Sequence, residues 1–383
     1  KKIIKLIKEK KLIFMKNSIN NLKLPTYPNK LHDKINETNL INSANIIFNK
    51  DINFFMLERE NNDLTFDKKY NPSQSSSEFF KAHLKKTISN LKNFFKRNNF
   101  SKVKCVDIGC GKGEFVNLLN NDNYFDCYGF DTSYAGNNKE IQKRYLNKSD
   151  FDSEVNLIIL KYVLDYIHPP NEFLNFLKEI FPKAYIFIEG PYIEDSIKNN
   201  RFYDICFEQV NYFSKKTYSN FFNGNILEHG ESFGNQYYYF ISHIKYFNHN
   251  SLTDFKKQRF KKINLNSLFP KMKIQLENIK KISDNSDKLW FWGAARKSVM
   301  FLHHLFDFYD SKLNKNKFGC VDQNLSKRGK YLPSTKIQVI STHDLLDKIS
   351  KKDKIVISNP SYKNEIENFL HSNLNFKPQI IVL

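Results

Sequence analysis

The stretch "VDIGCGKGEF" at 106–115 decides how this chain is read. It sets Asp107-x-Gly109-x-Gly111-x-Gly113 between a strand and a helix. Glycines let the backbone turn tightly and approach a ligand that a Cβ would block, while an acidic residue at a strand end can hold an amine. The dinucleotide fingerprint, G-x-G-x-x-G, has a different spacing. Further on, Asp131 ends a second strand, "YGFD", where a carboxylate can accept both ribose hydroxyls of a nucleoside. The two features together predict a nucleoside-type ligand.

Outward from this turn the pattern alternates. A helix start at "SQSSSEFF", with a Ser run to cap it, Glu78 in its first turn and apolar residues at helical spacing to about Arg97, delivers the chain to the strand "VKCVDIG". The helix "GEFVNLLNN", the strand "DCYGFD", a helix from about 136, the strand "VNLIILKYV", the helix "NEFLNFLKEIF" and the strand "AYIFIEG" come next. Strands alternating with helices in this way imply parallel pairing through right-handed crossovers, a doubly wound sheet. Beyond Pro191 comes an irregular or helical aromatic stretch, then "NQYYYFISHIKYF", a β-rich run that completes the sheet. A Lys-rich helix from about 251 leads to a second α/β unit with strands "KLWFWG", "KFGCVD", "IQVIS", "KIVIS" and "QIIVL". Its first strand runs into another glycine turn, "WFWGAARKS" at 290–298. The predicted architecture is thus α/β, a doubly wound Rossmann-like domain followed by a second Rossmann-like domain. The boundaries are 1–70 for a weakly patterned N-terminal region, 71–248 and 249–383.

The chain carries 60 Lys+Arg against 40 Asp+Glu, a formal charge of +20. The Lys, Asn, Ile and Phe excess runs through every segment, and the basic residues form no Arg-rich block interleaved with aromatics. Nucleic acid is therefore not the expected partner. Five scattered cysteines, mostly in strand-like runs, argue against a disulfide framework and for the cytoplasm. The opening "KKIIKLIKEKKLIFMKNS" is cut by lysines well below a spanning length, so no membrane span is expected. "HGESFGNQYYY" at 229–239 reads as surface polarity and not a metal site, and His303 and His304 read as one core-facing and one solvent-facing helical residue.

The Asp107 glycine turn with Asp131 resembles the class I methyltransferases that use S-adenosylmethionine. That resemblance implies Asp107 and the glycines, Gly109 and Gly111, near the methionine moiety and Asp131 on the ribose, with Cys110 and Lys161 as further cofactor-binding candidates. "LKYVLDYIHPP" at 160–170, "FEQVNYFS" at 207–214, "WFWGAARKS" and "VDQNLSKRGKYLPSTKIQVIS" at 321–341 further resemble, in order and spacing, the sugar C-methyltransferases, over about residues 70–383. The family resemblance implies a keto sugar carried on a nucleotide, held between the two domains. Arg296, Lys297, Lys330 and Tyr331 become candidates for substrate binding.

Alkylation at carbon needs a base and a stabilised enolate. The family usually presents Glu-His where this chain has Glu208-Gln209, and an amide cannot take the proton. Glu208 is the candidate base if burial raises its pKa, Gln209 a candidate to orient the substrate, and Tyr212 and Tyr70 candidate hydroxyls. Lys161, Tyr162 and Tyr166 stand where the family tends to have Arg and two His. The family's N-terminal zinc domain has no counterpart in cysteines, the first being Cys105, so no thiolate zinc site is expected in residues 1–104. Three alternatives stay open. One is methylation at oxygen or nitrogen of a sugar or related small molecule; another is a protein that binds the donor without catalysis; the third is a nucleic-acid methyltransferase that exploits the +20 charge.

Overall fold

The computed structural model describes residues 21–37, 40–59, 64, 74, 76–151, 154–248 and 260–383. Near the start, where weak periodicity supports no assignment of elements, stand the strands β1 (Leu22–Pro25), β2 (Ile41–Asn49) and β3 (Phe54–Arg59), paired antiparallel. Asn49 turns the second into the third, its side chain accepting from the backbone N–H of Asp51 at 2.9 Å. Such Asx contacts supply a turn without glycine.

Helix α1 (Glu78–Arg97) begins where predicted, with the Ser77 hydroxyl accepting from the Phe80 N–H at 3.2 Å. Its apolar face, Phe80, Leu84, Ile88, Leu91, Phe94 and Phe95, is buried. The chain then runs through β4 (Val103–Ile108), α2 (Glu114–Asn120), β5 (Phe125–Phe130), β6 (Ile141–Gln142), β7 (Leu157–Lys161), α3 (Pro170–Ile180) and β8 (Tyr185–Pro191). These five strands pair in parallel in the order β8-β7-β4-β5-β6. The helix expected from about 136 is absent. Tyr134 Oη accepts from the Asn138 N–H at 2.8 Å, and Asn138 Oδ1 accepts from the Glu140 N–H at 2.8 Å. Side chains that bond their own backbone in this way compete with the helical ladder.

After α4 (Ile193–Lys198), the short strand β9 (Asn211–Tyr212) and α5 (Lys215–Phe221), a hairpin of β10 (Glu228–Ser232) and β11 (Tyr237–His243) completes the sheet antiparallel on β8. His229 is exposed on that edge strand, as its polar surroundings predict.

The segment read as a linking helix from about 251 lies partly outside the described residues. After it stand β12 (Lys261–Ile263), α6 (Leu265–Leu268) and α7 (Met272–Asp284), with Pro270 between the two helices where a helical N–H would be lost. The second α/β unit has β13 (Leu289–Trp292), α8 (Arg296–Tyr309), β14 (Phe318–Asp322), β15 (Val339–Ser341), α9 (Thr342–Leu346), β16 (Lys354–Ile357), α10 (Lys363–Asn373) and β17 (Gln379–Val382). All five strands lie within the runs read from the sequence, and they are parallel in the order β15-β14-β13-β16-β17.

The N-terminal sheet is closed by later chain: β9 pairs with β3 and β12 with β2. Its apolar face, including Leu24, Ala44, Ile46, Phe55 and Leu57, shares one core with Val299, Met300, Phe301 and Leu302 of α8. This explains why both His303 and His304 are buried, against the expectation of one facing solvent. His303 Nε2 lies 2.7 Å from the carbonyl of Lys23, and His304 packs edge-on against Phe202. Among the described residues no helix is long and apolar enough to cross a membrane.

Candidate functional site

The carboxyl ends of the parallel strands and the start of α8 open onto one cavity of about 1170 Å³. A sheet of this kind leaves its crevice at the point where strand order reverses, beside β4.

At one end lies the first glycine turn. Asp107, 2% exposed, ends β4 and lines the cavity. Burial pushes its carboxyl up to about 7, with Lys161 opposing and Asp131 adding to the rise. Gly109 N–H donates to the Phe130 carbonyl at 2.7 Å, and Gly111 N–H to Asp131 Oδ2 at 2.8 Å. Asp131 Oδ1 accepts from the backbone and hydroxyl of Ser133 at 2.7 and 2.6 Å. Oδ2, with the one donor, keeps a site for a further one. Gly111, at φ +58, has open space where a Cβ would project, which is the cradle a ligand backing onto the turn requires. Cys110 also lines the cavity, but burial, Asp107 and Asp131 push its thiol far above the ordinary range, which works against a thiolate there.

Gly109 has a different constraint. At φ +74, a Cβ there would stand 2.4 Å from Val163 Cγ2. Gly109→Ala is expected to destabilise the fold by on the order of 2 kcal/mol, read by urea denaturation, because it combines a left-handed backbone with overpacking.

Lys161 ends β7 and Tyr162 follows it. Lys161 forms a buried ion pair with Glu189 at the end of β8, so its charge is committed inside the wall. Tyr162, at φ +59, donates from its hydroxyl to Glu189 Oε2 at 3.0 Å and lies 3.0 Å from His83 Nε2. Ser232 Oγ donates to the other oxygen of Glu189 at 2.7 Å. Despite burial, Lys161 and His83 hold the Glu189 carboxyl well below the usual range. Sequence reasoning missed both His83 and Glu189. Glu189 carried a readable signal, an acidic residue at the end of an apolar strand like Asp107; His83 sits unmarked on the buried face of α1.

At the other end stand Glu208 and Gln209. Glu208, fully buried, accepts from the Asn29 side chain at 3.1 Å and the Asn29 N–H at 3.4 Å. Asn29 Oδ1 in turn accepts from the Arg296 N–H at 3.0 Å, and Arg296 Nη1 donates to Gln209 Oε1 at 2.8 Å. The N-terminal region thus bridges both glycine-turn units. Lys297 donates to Asp204 at 2.7 Å; burial brings its ammonium down to about 8, with Asp204 opposing. Asp165, also missed, is buried on the wall with its carboxyl pushed up to about 8 by desolvation, while Arg296 draws it down.

The second glycine turn is braced internally. Asp322 Oδ2 accepts from the Ala294 N–H at 2.7 Å and from Lys327 at 3.0 Å, which accounts for two residues of the "VDQNLSK" rhythm. Tyr212 stands outside the cavity wall: its hydroxyl accepts from the Cys206 N–H at 2.9 Å and donates to the Cys206 carbonyl at 3.1 Å, closing the loop that carries Glu208 and Gln209. Lys330 and Tyr331 also lie outside the wall; Tyr331 exchanges backbone hydrogen bonds with His32 at 2.8 and 3.0 Å. Tyr70 lies outside the described residues. Asp107, Gly109, Cys110, Gly111, Asp131, Lys161, Glu208, Gln209, Arg296 and Lys297 all line the one cavity.

Residues 80–228 match the model of a family described as a methyltransferase domain. The methyl donor of that family is S-adenosylmethionine. No curated protein matches the chain. Among solved structures, a SAM-dependent methyltransferase from Aquifex aeolicus is similar over 43% of this chain and 97% of its own, at 17% identity and a TM-score of 0.29. Magnesium protoporphyrin IX methyltransferase from Synechocystis, solved with S-adenosylhomocysteine, covers 45% of this chain and 88% of its own at 12% identity and 0.33. A 1,6-didemethyltoxoflavin N1-methyltransferase from Burkholderia thailandensis covers 51% and 98% at 9% identity and 0.31. At these scores none of the three bears on what the methyltransferase domain of this chain acts on.

Proposed function

We propose that this chain is a cytoplasmic enzyme that transfers a methyl group from S-adenosylmethionine to a nucleotide-linked sugar. One observation carries the reading: a single cavity runs from Asp107, Gly111 and Asp131 in the methyltransferase domain to Arg296 and Lys297 in the second α/β unit. Asp107 and the glycine turn would hold the methionine portion of the donor and Asp131 its ribose. Bound there, the donor supplies an electrophilic methyl. Arg296 and Lys297, at the N-terminus of α8, favour a diphosphate, and Gln209 orients the sugar. Five free cysteines suit a reducing compartment.

The acceptor atom is carbon if the sugar carries a ketone. Oxygen or nitrogen is the second reading, favoured by the Gln209 amide bonded to Arg296 where an imidazole base would stand. Solvent deuterium uptake into a panel of nucleotide-linked 4-keto sugars, with and without S-adenosylmethionine, separates the two. Exchange and then gain of one methyl establishes carbon alkylation. Methyl gain without exchange indicates oxygen or nitrogen, and donor binding with no methyl on any acceptor would favour a protein that binds without catalysis.

Burial pushes the Asp107 carboxyl up to about 7, so donor binding is expected to depend on pH. The carboxyl must be ionised to hold an ammonium, so donor affinity is expected to fall by up to about tenfold per pH unit below that value. Calorimetry across about pH 6–8 checks this, and Asp107→Asn should abolish the dependence.

A further inference from the structure

Alkylation at carbon passes through an enolate, and a hydrogen-bond donor already aimed at the enolate oxygen stabilises it as charge develops. Such a donor must have a proton to spare and must stand between the two ends of the cavity. Two hydroxyls on the wall have none: Tyr162 donates to Glu189, and Tyr362 to Gln74. Tyr237, the first residue of β11, meets both conditions.

Tyr237 is half-buried and lines the cavity. Its ring stacks on Phe233 at 4.6 Å and lies 4.8 Å from that of Tyr162, whose neighbour Val163 packs against the Gly109 turn on the donor side. In the β8–β11 ladder it stands opposite Pro191, which borders a small void together with Gln209 and Arg296 on the acceptor side. Tyr237 therefore lies where the two ends meet. Gln74 sets the sense of its hydrogen bonding. Gln74 Oε1 accepts from the Tyr362 hydroxyl, so the amide N–H is the part that meets Tyr237, and it draws the phenol down as a donor does. The Tyr237 oxygen accepts from Gln74, and its own proton remains for the cavity. Among the described residues no protein group accepts that proton, and the hydroxyl is not one of those, like Tyr203 and Tyr218, sealed in the core without a partner. Burial pushes the phenol up to about 12, with Arg296 and Gln74 opposing and Glu189 and Asp204 adding to the rise. It is a protonated donor at neutral pH.

Resting on the nucleotide-sugar reading and its carbon branch, we propose that Tyr237 donates a hydrogen bond to the ketone oxygen of the acceptor and stabilises the enolate formed there. The α-carbon gives its proton to water, and the C–H bonding pair becomes the enolate, whose charge rests on that oxygen. The same pair then forms the bond to the methyl carbon as the C–O double bond is restored. The C–S bonding pair stays on sulfur, turning the sulfonium into a neutral thioether. The phenolic proton stays on Tyr237 throughout. Tyr237 is then a catalytic residue, and Gln74 a positioning residue that acts through it.

The test follows solvent deuterium uptake and methyl gain on the panel of nucleotide-linked 4-keto sugars in the parent, Tyr237→Phe and Gln74→Glu. Phenylalanine keeps the ring stack and removes only the hydroxyl. Exchange without donor, and kcat with it, should each fall by on the order of 10²-fold, while KM and the Kd for S-adenosylmethionine change by less than about threefold. Gln74→Glu keeps the hydroxyl but turns a carboxylate toward it, so the phenolic proton is drawn out of the cavity. That variant should lose exchange at neutral pH and regain it as the pH falls and the new carboxyl takes a proton, a profile that a packing defect would not give. Parent-like exchange and kcat in Tyr237→Phe would overturn the proposal and leave the methyl-transfer reading standing. Methyl gain without exchange in the parent would also overturn it, since no enolate forms. A parent that neither exchanges nor methylates any sugar of the panel overturns the nucleotide-sugar reading, and the proposal with it.

Discussion

Asp131→Ala is expected to weaken S-adenosylmethionine binding by on the order of 10²-fold, measured by calorimetry, with little change in folding. Two losses combine. The carboxylate would no longer meet the ribose hydroxyls, a pair of charge-assisted hydrogen bonds each contributing about 1.5–3 kcal/mol. The same carboxylate also bonds the Gly111 N–H and Ser133, so the turn that cradles the donor loses its brace. Asp131→Asn separates the two effects, since the amide oxygen can keep one backbone N–H while the charge is gone. An unchanged affinity in Asp131→Ala would mean that the ribose lies elsewhere.

Glu189→Gln is expected to lower stability by about 3–5 kcal/mol, because it leaves the Lys161 ammonium buried without its partner. Lys161→Met in the same background should recover much of that loss, since removing both charges is far less costly than removing one. The pH dependence has a definite sign. The folded Glu189 carboxyl is held below its unfolded value by Lys161 and His83. Its contribution is therefore fully present above about pH 4.3 and is lost as the pH falls toward the folded value. Chemical denaturation at neutral and acidic pH reads both effects, and a Glu189→Gln variant as stable as the parent would show that Lys161 finds another partner.

The parallel strands and most of their helices were legible because their apolar runs are unbroken and their turns carry glycine, as at "VDIGCGKGEF" and "WFWGAARKS". Asp107 and Asp131, which line one cavity, could be picked out for the same reason: each is local to its strand. What escaped depends on distant segments meeting. The N-terminal sheet is held by two short strands from beyond residue 210, so residues 21–59 show little of it alone. His83 and Glu189 became a pair only when α1 crossed the end of β8. Asn29 was invisible as a bridge between Glu208 and Arg296, because an asparagine in "YPNK" reads as a turn residue. Tyr212 was a reasonable candidate by position, yet its hydroxyl is consumed by its own loop.

The strands at 211–212 and 261–263 that complete the N-terminal sheet impose an order on biosynthesis. Chain made early must wait for chain made much later: β2 and β3 emerge from the ribosome some 200 residues before β12, roughly 10–40 s at ordinary elongation rates. During that interval the edges of a young hairpin, with Phe54, Phe55, Met56 and Leu57 uncovered, are open to pairing with neighbouring nascent chains. Production of this protein should therefore respond more to chaperone supply and to translation speed than the stability of its finished fold would suggest.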